Sequence, residues 1–293
     1  MNYVSDSLEW VECPRDAMQG LPEWIDTSVK VEYLNLLLRQ GFHTLDCGSF
    51  VSPAAVPQMK DTAEVLNALD RTASDTRLLV IIANERGVRE ALAHPAVDDI
   101  GFPLSISEEF QQRNTRSTRE AGLELVLQLQ RLATAVDKRL VVYLSMAFGN
   151  PYGEDWNTDL VVDYAQRLDT SGVSVISLAD TVGTAQVDDI AELCHRLTVG
   201  THALAHARLG IHLHTTATTW EPKVAAAWQH GCRRFDTAIL GFGGCPFAKN
   251  ELVGNLNTYD LLAFAEKAGI RHSVQPELVS QTYALAQRIF RHS

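Results

Sequence analysis

Two kinds of segment alternate along the chain. Short runs such as LLVIIA at 78–83 and LVVYLSM at 140–146 are apolar at nearly every position, the pattern of strands buried on both faces. Eight strands are expected in all, several of them of this kind, at 8–13, 43–47, 78–83, 98–103, 140–146, 173–178, 209–214 and 234–239. Between them apolar residues recur at helical spacing, at 29–40, 59–69, 88–93, 107–133, 158–171, 187–197, 222–230 and 260–268. A further helix is expected at 275–293. Several helical stretches run into glycine, as in RQGF, TSGV and QHGC, which suits a left-handed C-cap. Strict β-then-α alternation over eight units predicts an α/β protein, a (β/α)8 TIM barrel with an extra C-terminal helix. The alternative is an open doubly wound sheet, but no glycine-rich phosphate loop follows the first strand. No linker rich in Pro, Gly or Ser interrupts the pattern, so one catalytic domain over 1–293 is expected.

Composition narrows the classes. The 293 residues would allow about two average domains, yet one α/β barrel of ~250 residues fits as well. With 46% hydrophobic and 21% charged residues, the chain is neither disordered nor collagenous. Its 36 acidic against 25 basic residues give a net charge of −11, which argues against binding nucleic acid through the whole surface. A local basic pocket for a phosphorylated ligand is still allowed. The longest clean apolar run, 78–83, falls far short of the ~20 residues of a membrane helix. The opening MNYVSDSLEWVE has neither a positive n-region nor a long apolar h-region. No membrane association is therefore expected. The five cysteines (Cys13, Cys47, Cys194, Cys232, Cys245) contain no CxxC pair, so a reducing cytoplasm is the expected location.

In a barrel, chemistry belongs at the C-terminal ends of the strands. The first strand ends Glu12-Cys13-Pro14-Arg15-Asp16, where a carboxylate can bind a hard cation and the arginine can stabilise an oxyanion. A surface turn with a charged pair is the plainer reading of that stretch alone. The seventh reads Gly210-Ile211-His212-Leu213-His214. Alternation points both histidines one way, into the barrel, where two imidazoles suit a divalent metal better than a core. After the eighth strand, Gly243-Gly244-Cys245 makes a glycine-rich loop that can close as a lid, with its thiol as acid or base. Asn255 can add an amide oxygen ligand, though Gly-Asn is also an ordinary turn. Asp180 ends the sixth strand as a candidate carboxylate or an N-cap. Asp46 and Ser49 end the second, the first to orient a basic partner and the second to bind substrate, with a capped turn as the plain alternative.

These residues carry a resemblance. Pro14 to Gln19 (PRDAMQ) is similar to the PRDGLQ motif of the hydroxymethylglutaryl-CoA lyase family. SFVSP at 49–53 with VPQM at 56–59, SLADTVG at 177–183, HLHTT at 212–216, GGCPFA at 243–248 and Gly254-Asn255 resemble the family's further motifs in order. The resemblance implies a (β/α)8 barrel, a Mg or Mn ion with zinc less favoured, and an acyl-CoA substrate. The implied reaction is retro-Claisen cleavage of 3-hydroxy-3-methylglutaryl-CoA to acetoacetate and acetyl-CoA. It further implies Asp16, His212, His214 and Asn255 as metal ligands, Arg15 as the group stabilising the enolate, and Cys245 and Asp180 in proton transfer. Asp46 stands where the family has Glu, with an orienting role. Gln19 and Ser49 would contact substrate, and the protein would be a homodimer acting in leucine degradation. A condensing synthase of the same superfamily and a non-catalytic acyl-CoA-binding barrel are the alternatives. Thr215 stands where the family has Asp, and Tyr259 near where it has Glu. For the nucleotide end of CoA, Arg113, Asn114 and Lys249 are candidates, each as readily a solvated side chain.

Overall fold

Eight parallel strands close a barrel in the computed structural model, which describes residues 7–243 and 253–290. The strands among these residues are β1 (Glu9–Glu12), β2 (Thr44–Ser49), β3 (Arg77–Ile81), β4 (Asp99–Ser105), β5 (Arg139–Ser145), β6 (Val175–Ala179), β7 (Arg208–His212), β8 (His214–Thr215), β9 (Arg234–Thr237) and β10 (Gly254–Asn255). β1 to β7 and β9 form the barrel, β9 pairing back to β1, while β8 and β10 make a small antiparallel ribbon. The helices are α1 (Pro14–Gln19), α2 (Thr27–Leu38), α3 (Thr62–Asn67), α4 (Glu85–Ala93), α5 (Glu108–Thr115), α6 (Arg119–Thr134), α7 (Thr158–Thr170), α8 (Val187–Thr198), α9 (Trp220–Gln229), α10 (Thr258–Ala268) and α11 (Pro276–Phe290).

The continuous apolar runs divide between two cores. Leu79, Val141 and Val175, with Ile81 and Tyr143, fill the barrel interior. Their sequence neighbours Leu78, Val80, Val142 and Ile176 face outward into the layer shared with the helices. β3, β5 and β6 are therefore apolar on both faces, as strands covered on both sides are, whereas β2, β7 and β9 turn polar side chains inward.

All eight expected barrel strands form within about two residues of their expected limits. Three local features differ from the sequence reading. The single helix expected over 107–133 is two, α5 and α6. Arg116 takes the left-handed conformation (φ 57°) and Thr118 caps α6 by accepting from the Ala121 N–H. The seventh strand stops at His212, and His214 belongs to the ribbon with β10. The stretch after β1 is a helical turn, α1, with Pro14 at its start, where a missing N–H costs nothing.

β2 carries a bulge that sets the site. Asp46 pairs with inward-facing Leu79, the register then shifts, and Ser49 pairs with inward-facing Ile81. Simple alternation would turn Asp46 and Ser49 to opposite faces; the extra residue brings both to the barrel interior.

Candidate active site

Helix α1 is short, and its geometry places Arg15 and Gln19 one turn apart beside Asp16. The Arg15 Nη1 group donates to Asp16 Oδ1 and Gln19 Oε1, both at 2.9 Å. Its other edge grips Asp46: Nε donates to both carboxylate oxygens at 3.1 Å and Nη2 to Oδ2 at 2.5 Å. Gln19 Nε2 donates to Asp16 Oδ1 at 2.8 Å. The guanidinium is thus fixed along two edges, an arrangement a lysine cannot reproduce. Burial opposes its charge, but Asp46 and Asp16 outweigh it and hold the group protonated. Burial also pushes the Asp46 carboxyl up to about 6 against the pull of Arg15. At Asp16 burial is outweighed by Arg15, His212, Asn255 and His214, and the carboxyl lies below its usual range.

Across the mouth stand the two histidines, their rings 5.3 Å apart. His212 Nδ1 lies 3.2 Å from Asp236 Oδ2, which fixes the ring and turns Nε2 the other way. Burial lowers the His212 pKa, but the hydrogen bond and charge of Asp236 and the charge of Asp16 leave it above its ordinary value. Burial and His212 push His214 down to about 3, so this imidazole is neutral and free to act as a ligand.

Asp16, His212 and His214 each offer a ligand atom within 4.8 Å of the others. The ribbon sets Asn255 opposite His214 in register. Asn255 Nδ2 donates to Asp16 Oδ2 at 2.8 Å and to the Phe242 carbonyl at 2.9 Å, while its Oδ1 is buried without a partner among the described residues. Gly243 (φ 111°) passes over this group, where a Cβ would strike Asn255 Nδ2 and come within 2.9 Å of Asp16 Oδ2. A carboxylate, two imidazoles and an orphaned amide oxygen converging under a glycine fit a divalent cation.

A cavity of about 280 Å³ opens beside this cluster. One wall carries Arg15, Asp16, Gln19, Asp46, Ser49, His212 and His214; the other is apolar, with Val51, Val56, Ile81, Pro103 and Phe110. The Ser49 hydroxyl donates to the Ile81 carbonyl at 3.2 Å and accepts from the Val51 N–H. Asn114 lines the cavity, whereas Arg113 is held by Glu109 at 2.6 Å and over the Tyr152 ring. Cys245 and Lys249 lie outside the described residues.

Asp180 sits apart from the cavity lining. Its Oδ1 accepts from the Ala185 N–H at 2.9 Å and its Oδ2 takes Lys223 Nζ at 2.8 Å. Lys223 also donates to the His214 carbonyl at 3.0 Å, so the pair braces the backbone of a candidate ligand. Both Asp180 oxygens being engaged, this placement differs from the proton-transfer role that the resemblance implies.

Three residues escaped the sequence reading, and a fourth was read only as part of the stretch that ends the first strand. Asp236 and Lys223 act through the histidines, and Tyr143 lines the cavity with its hydroxyl buried and unpartnered among the described residues. A lone tyrosine at an inward position of LVVYLSM was its only signal. The fourth, Glu12, is fully buried, and burial pushes its carboxyl up to about 7 despite bonds from Thr258, the Ile239 N–H and Thr237.

The Glu12 shift fixes a sign. Between pH 4.5 and about 7 the folded protein keeps a proton that the unfolded chain has released, so stability falls as pH rises through that window. Glu12→Gln removes this loss while keeping an acceptor for Ile239. It is expected to match the parent near pH 5 and exceed it by about 3 kcal/mol at pH 8 in urea unfolding.

The departures from the motifs also find places. The Tyr259 hydroxyl donates to the Val279 carbonyl at 3.1 Å and its ring meets Tyr283 edge-on, tying α10 to α11. Thr215 pairs through its backbone with Gly254 in the ribbon.

Fold and site define a (β/α)8-barrel enzyme with a place for a divalent cation beside a fixed guanidinium. Residues 8–286 match the family described as HMGL-like, and the chain belongs to that family. It is 30% identical to the hydroxymethylglutaryl-CoA lyase YngG of Bacillus subtilis over 90% of this chain and 86% of the relative. It is also 30% identical to the (R)-citramalyl-CoA lyase of Chloroflexus aurantiacus, over 88% of this chain and 82% of the relative. An HMG-CoA lyase from Acinetobacter baumannii, solved with coenzyme A and 3-methylmalate, superimposes with a TM-score of 0.86 at 30% identity. That match covers all of this chain and 94% of the other. No helix among the described residues is long and apolar enough to cross a membrane.

Proposed function

We propose that the protein cleaves 3-hydroxy-3-methylglutaryl-CoA to acetoacetate and acetyl-CoA. The observation that carries this reading is the junction at Asp16: one carboxylate faces two histidines and is bonded to a guanidinium clamped by Asp46. A retro-Claisen cleavage needs those two functions side by side. The 3-hydroxyl loses its proton, the bond from C2 to C3 breaks, and C3 becomes the ketone of acetoacetate. The electron pair moves to C2 and the thioester oxygen, and C2 then takes a proton to give acetyl-CoA.

Asp16, His212, His214 and Asn255 would hold the cation, Mg or Mn being favoured over zinc by the two oxygen donors. When bound, it supplies Lewis-acid polarisation of the substrate oxygens. Arg15 neutralises the charge that grows on the thioester oxygen. Asp46 and Gln19 hold it without rearrangement, which is where such donors gain most. The apolar wall from Val51 to Phe110 excludes water from the enolate. Ser49, Gln19 and Tyr143 offer polar contacts to the acyl group. Asp180 serves as a positioning residue through Lys223. Cys245 is the proposed acid that protonates C2.

Cys245→Ala is expected to lower kcat by about 10²–10⁴-fold, the usual worth of a general acid, with ligand affinity within about twofold. An unchanged kcat in steady-state assays would remove the thiol from the mechanism. The reading also includes a homodimer, a cytoplasmic setting and a role in leucine degradation.

Equal identity to a citramalyl-CoA lyase supports a second substrate of the same 3-hydroxyacyl-CoA class. Comparing kcat/KM for the two thioesters decides between them. A preference for citramalyl-CoA would keep the reaction type and replace the substrate.

A further inference from the structure

One candidate ligand of the cation takes its orientation from the C-terminal helix. Asn255 can offer an oxygen only if its amide points the right way, because the other end of an amide is a donor. Nδ2 is committed twice, to Asp16 Oδ2 at 2.8 Å and to the Phe242 carbonyl at 2.9 Å, and Oδ1 is left without a partner among the described residues. These two acceptors give the amide one orientation, and the Phe242 carbonyl is half of what sets it.

Phe242 does not hold its place by local preference. Leu240, two residues before it, takes the left-handed region (φ 67°, ψ 3°), which a branched side chain rarely enters. Such backbone persists where the surrounding structure over-determines it. Phe242 is half-buried, and its ring stacks on that of Phe290, with centroids 4.8 Å apart and planes at 20°.

Phe290 is the last described residue of α11 and is 1% exposed. Its ring meets the fully buried Tyr33 of α2 edge-on at 6.2 Å. Stacked and edge-on aromatic pairs are worth more than the area they bury. The helix that carries Phe290 is fastened to the same neighbour. Gln40, just past α2, donates from Nε2 to Thr282 Oγ1, and its carbonyl accepts from the Gln275 N–H at 2.9 Å. Beyond Asn255, the Tyr259 hydroxyl bonds to Val279 of α11. The helix thus grips the chain both before and after Asn255.

We propose that α11 is a positioning element for cation binding: Phe290, through its stack on Phe242, holds the carbonyl that turns Asn255 Oδ1 toward the ion. The inference rests on the reading of Asp16, His212, His214 and Asn255 as the cation's ligands. Phe290 is not among the residues that line the cavity, so it acts only through Phe242. Without it, Asp16 is the one acceptor still fixing the amide, and the amide can turn a donor toward the ion.

The test is calorimetric titration of the intact protein with Mn, with no substrate present. Phe290→Ala is expected to weaken Mn affinity by about 10–100-fold, the range for groups that orient a ligand. Phe242→Ala breaks the same stack from the other side. It is expected to lose as much, and the double variant no more than either single one. Phe290→Leu keeps apolar volume without a flat ring. It is expected to bind Mn less tightly than the parent, and serves if Phe290→Ala does not fold. Leu285→Ala separates positioning from general loosening. Leu285 is buried on the same helix, roughly 140° around its axis from Phe290. Its truncation is expected to lower the unfolding midpoint and to leave Mn affinity within about twofold. Mn affinity equal to the parent's in Phe290→Ala and Phe242→Ala would overturn the inference and leave the cation site standing. A loss in Leu285→Ala as large as in Phe290→Ala would overturn it too, since the helix would then act only as packing. A parent protein that binds no Mn would overturn the cation-site reading itself, and this inference with it.

Discussion

Arg15→Met is expected to lower kcat for acyl-CoA cleavage by at least about 10³-fold. Removing one well-placed oxyanion donor costs about 10²–10³ in kcat, and here the same side chain organises the rest of the site. Five hydrogen bonds tie it to Asp16, Gln19 and Asp46, so its loss also frees both buried carboxylates. Asp46 already sits near pKa 6 with the arginine in place and would keep its proton at neutral pH without it. Breaking such a buried pair costs about 3–5 kcal/mol, so stability must be measured alongside rate. Arg15→Lys separates the effects. It restores a positive charge but not the two-edged fork, and is expected to recover fold stability before it recovers kcat. Full activity in either variant would show that the guanidinium does not face the reacting thioester.

The second large effect is expected at the cation cluster. Asp16→Asn keeps the shape of the side chain and removes its charge, and His214→Ala removes a ring that burial holds neutral. Changes to groups merely supporting metal ligands cost 10–100-fold in affinity. Either substitution should therefore weaken Mn binding by more than about 100-fold and lower turnover at fixed metal at least as much. Calorimetric titration with Mn reads the first directly, without depending on catalysis. Asp236→Asn, acting only through His212 Nδ1, is expected to fall within the 10–100-fold range. Equal Mn affinity in parent and Asp16→Asn would place the cation elsewhere.

The sequence made the scaffold legible because β3 and β5 are apolar on both faces, a pattern that needs no tertiary context, and the strict alternation of strand and helix carries the rest. It exposed the helix break badly: NTRST at 114–118 holds four helix-poor residues, but amphipathic spacing on either side spanned them. His212 and His214 were readable because their i, i+2 spacing survives the end of β7, the ribbon carrying His214 on in nearly the same direction. Asp46 and Ser49 are a different case. Period-two alternation separates them, and only the bulge in β2 reunites them at the cavity. The supporting residues were hidden for another reason. Asp236 lies 24 positions from His212 and Lys223 lies 43 from Asp180, and nothing local in RFDT or WEPK marks a partner.

Cleavage of a 3-hydroxyacyl thioester by the Asp16 cluster together with Arg15 can be tested directly. The most direct measurement is acetoacetate formation from 3-hydroxy-3-methylglutaryl-CoA by chelator-stripped protein, before and after adding Mg or Mn. Negligible cleavage by the stripped protein and turnover restored by either ion are expected. Folded, metal-loaded protein that releases no acetoacetate would contradict this expectation.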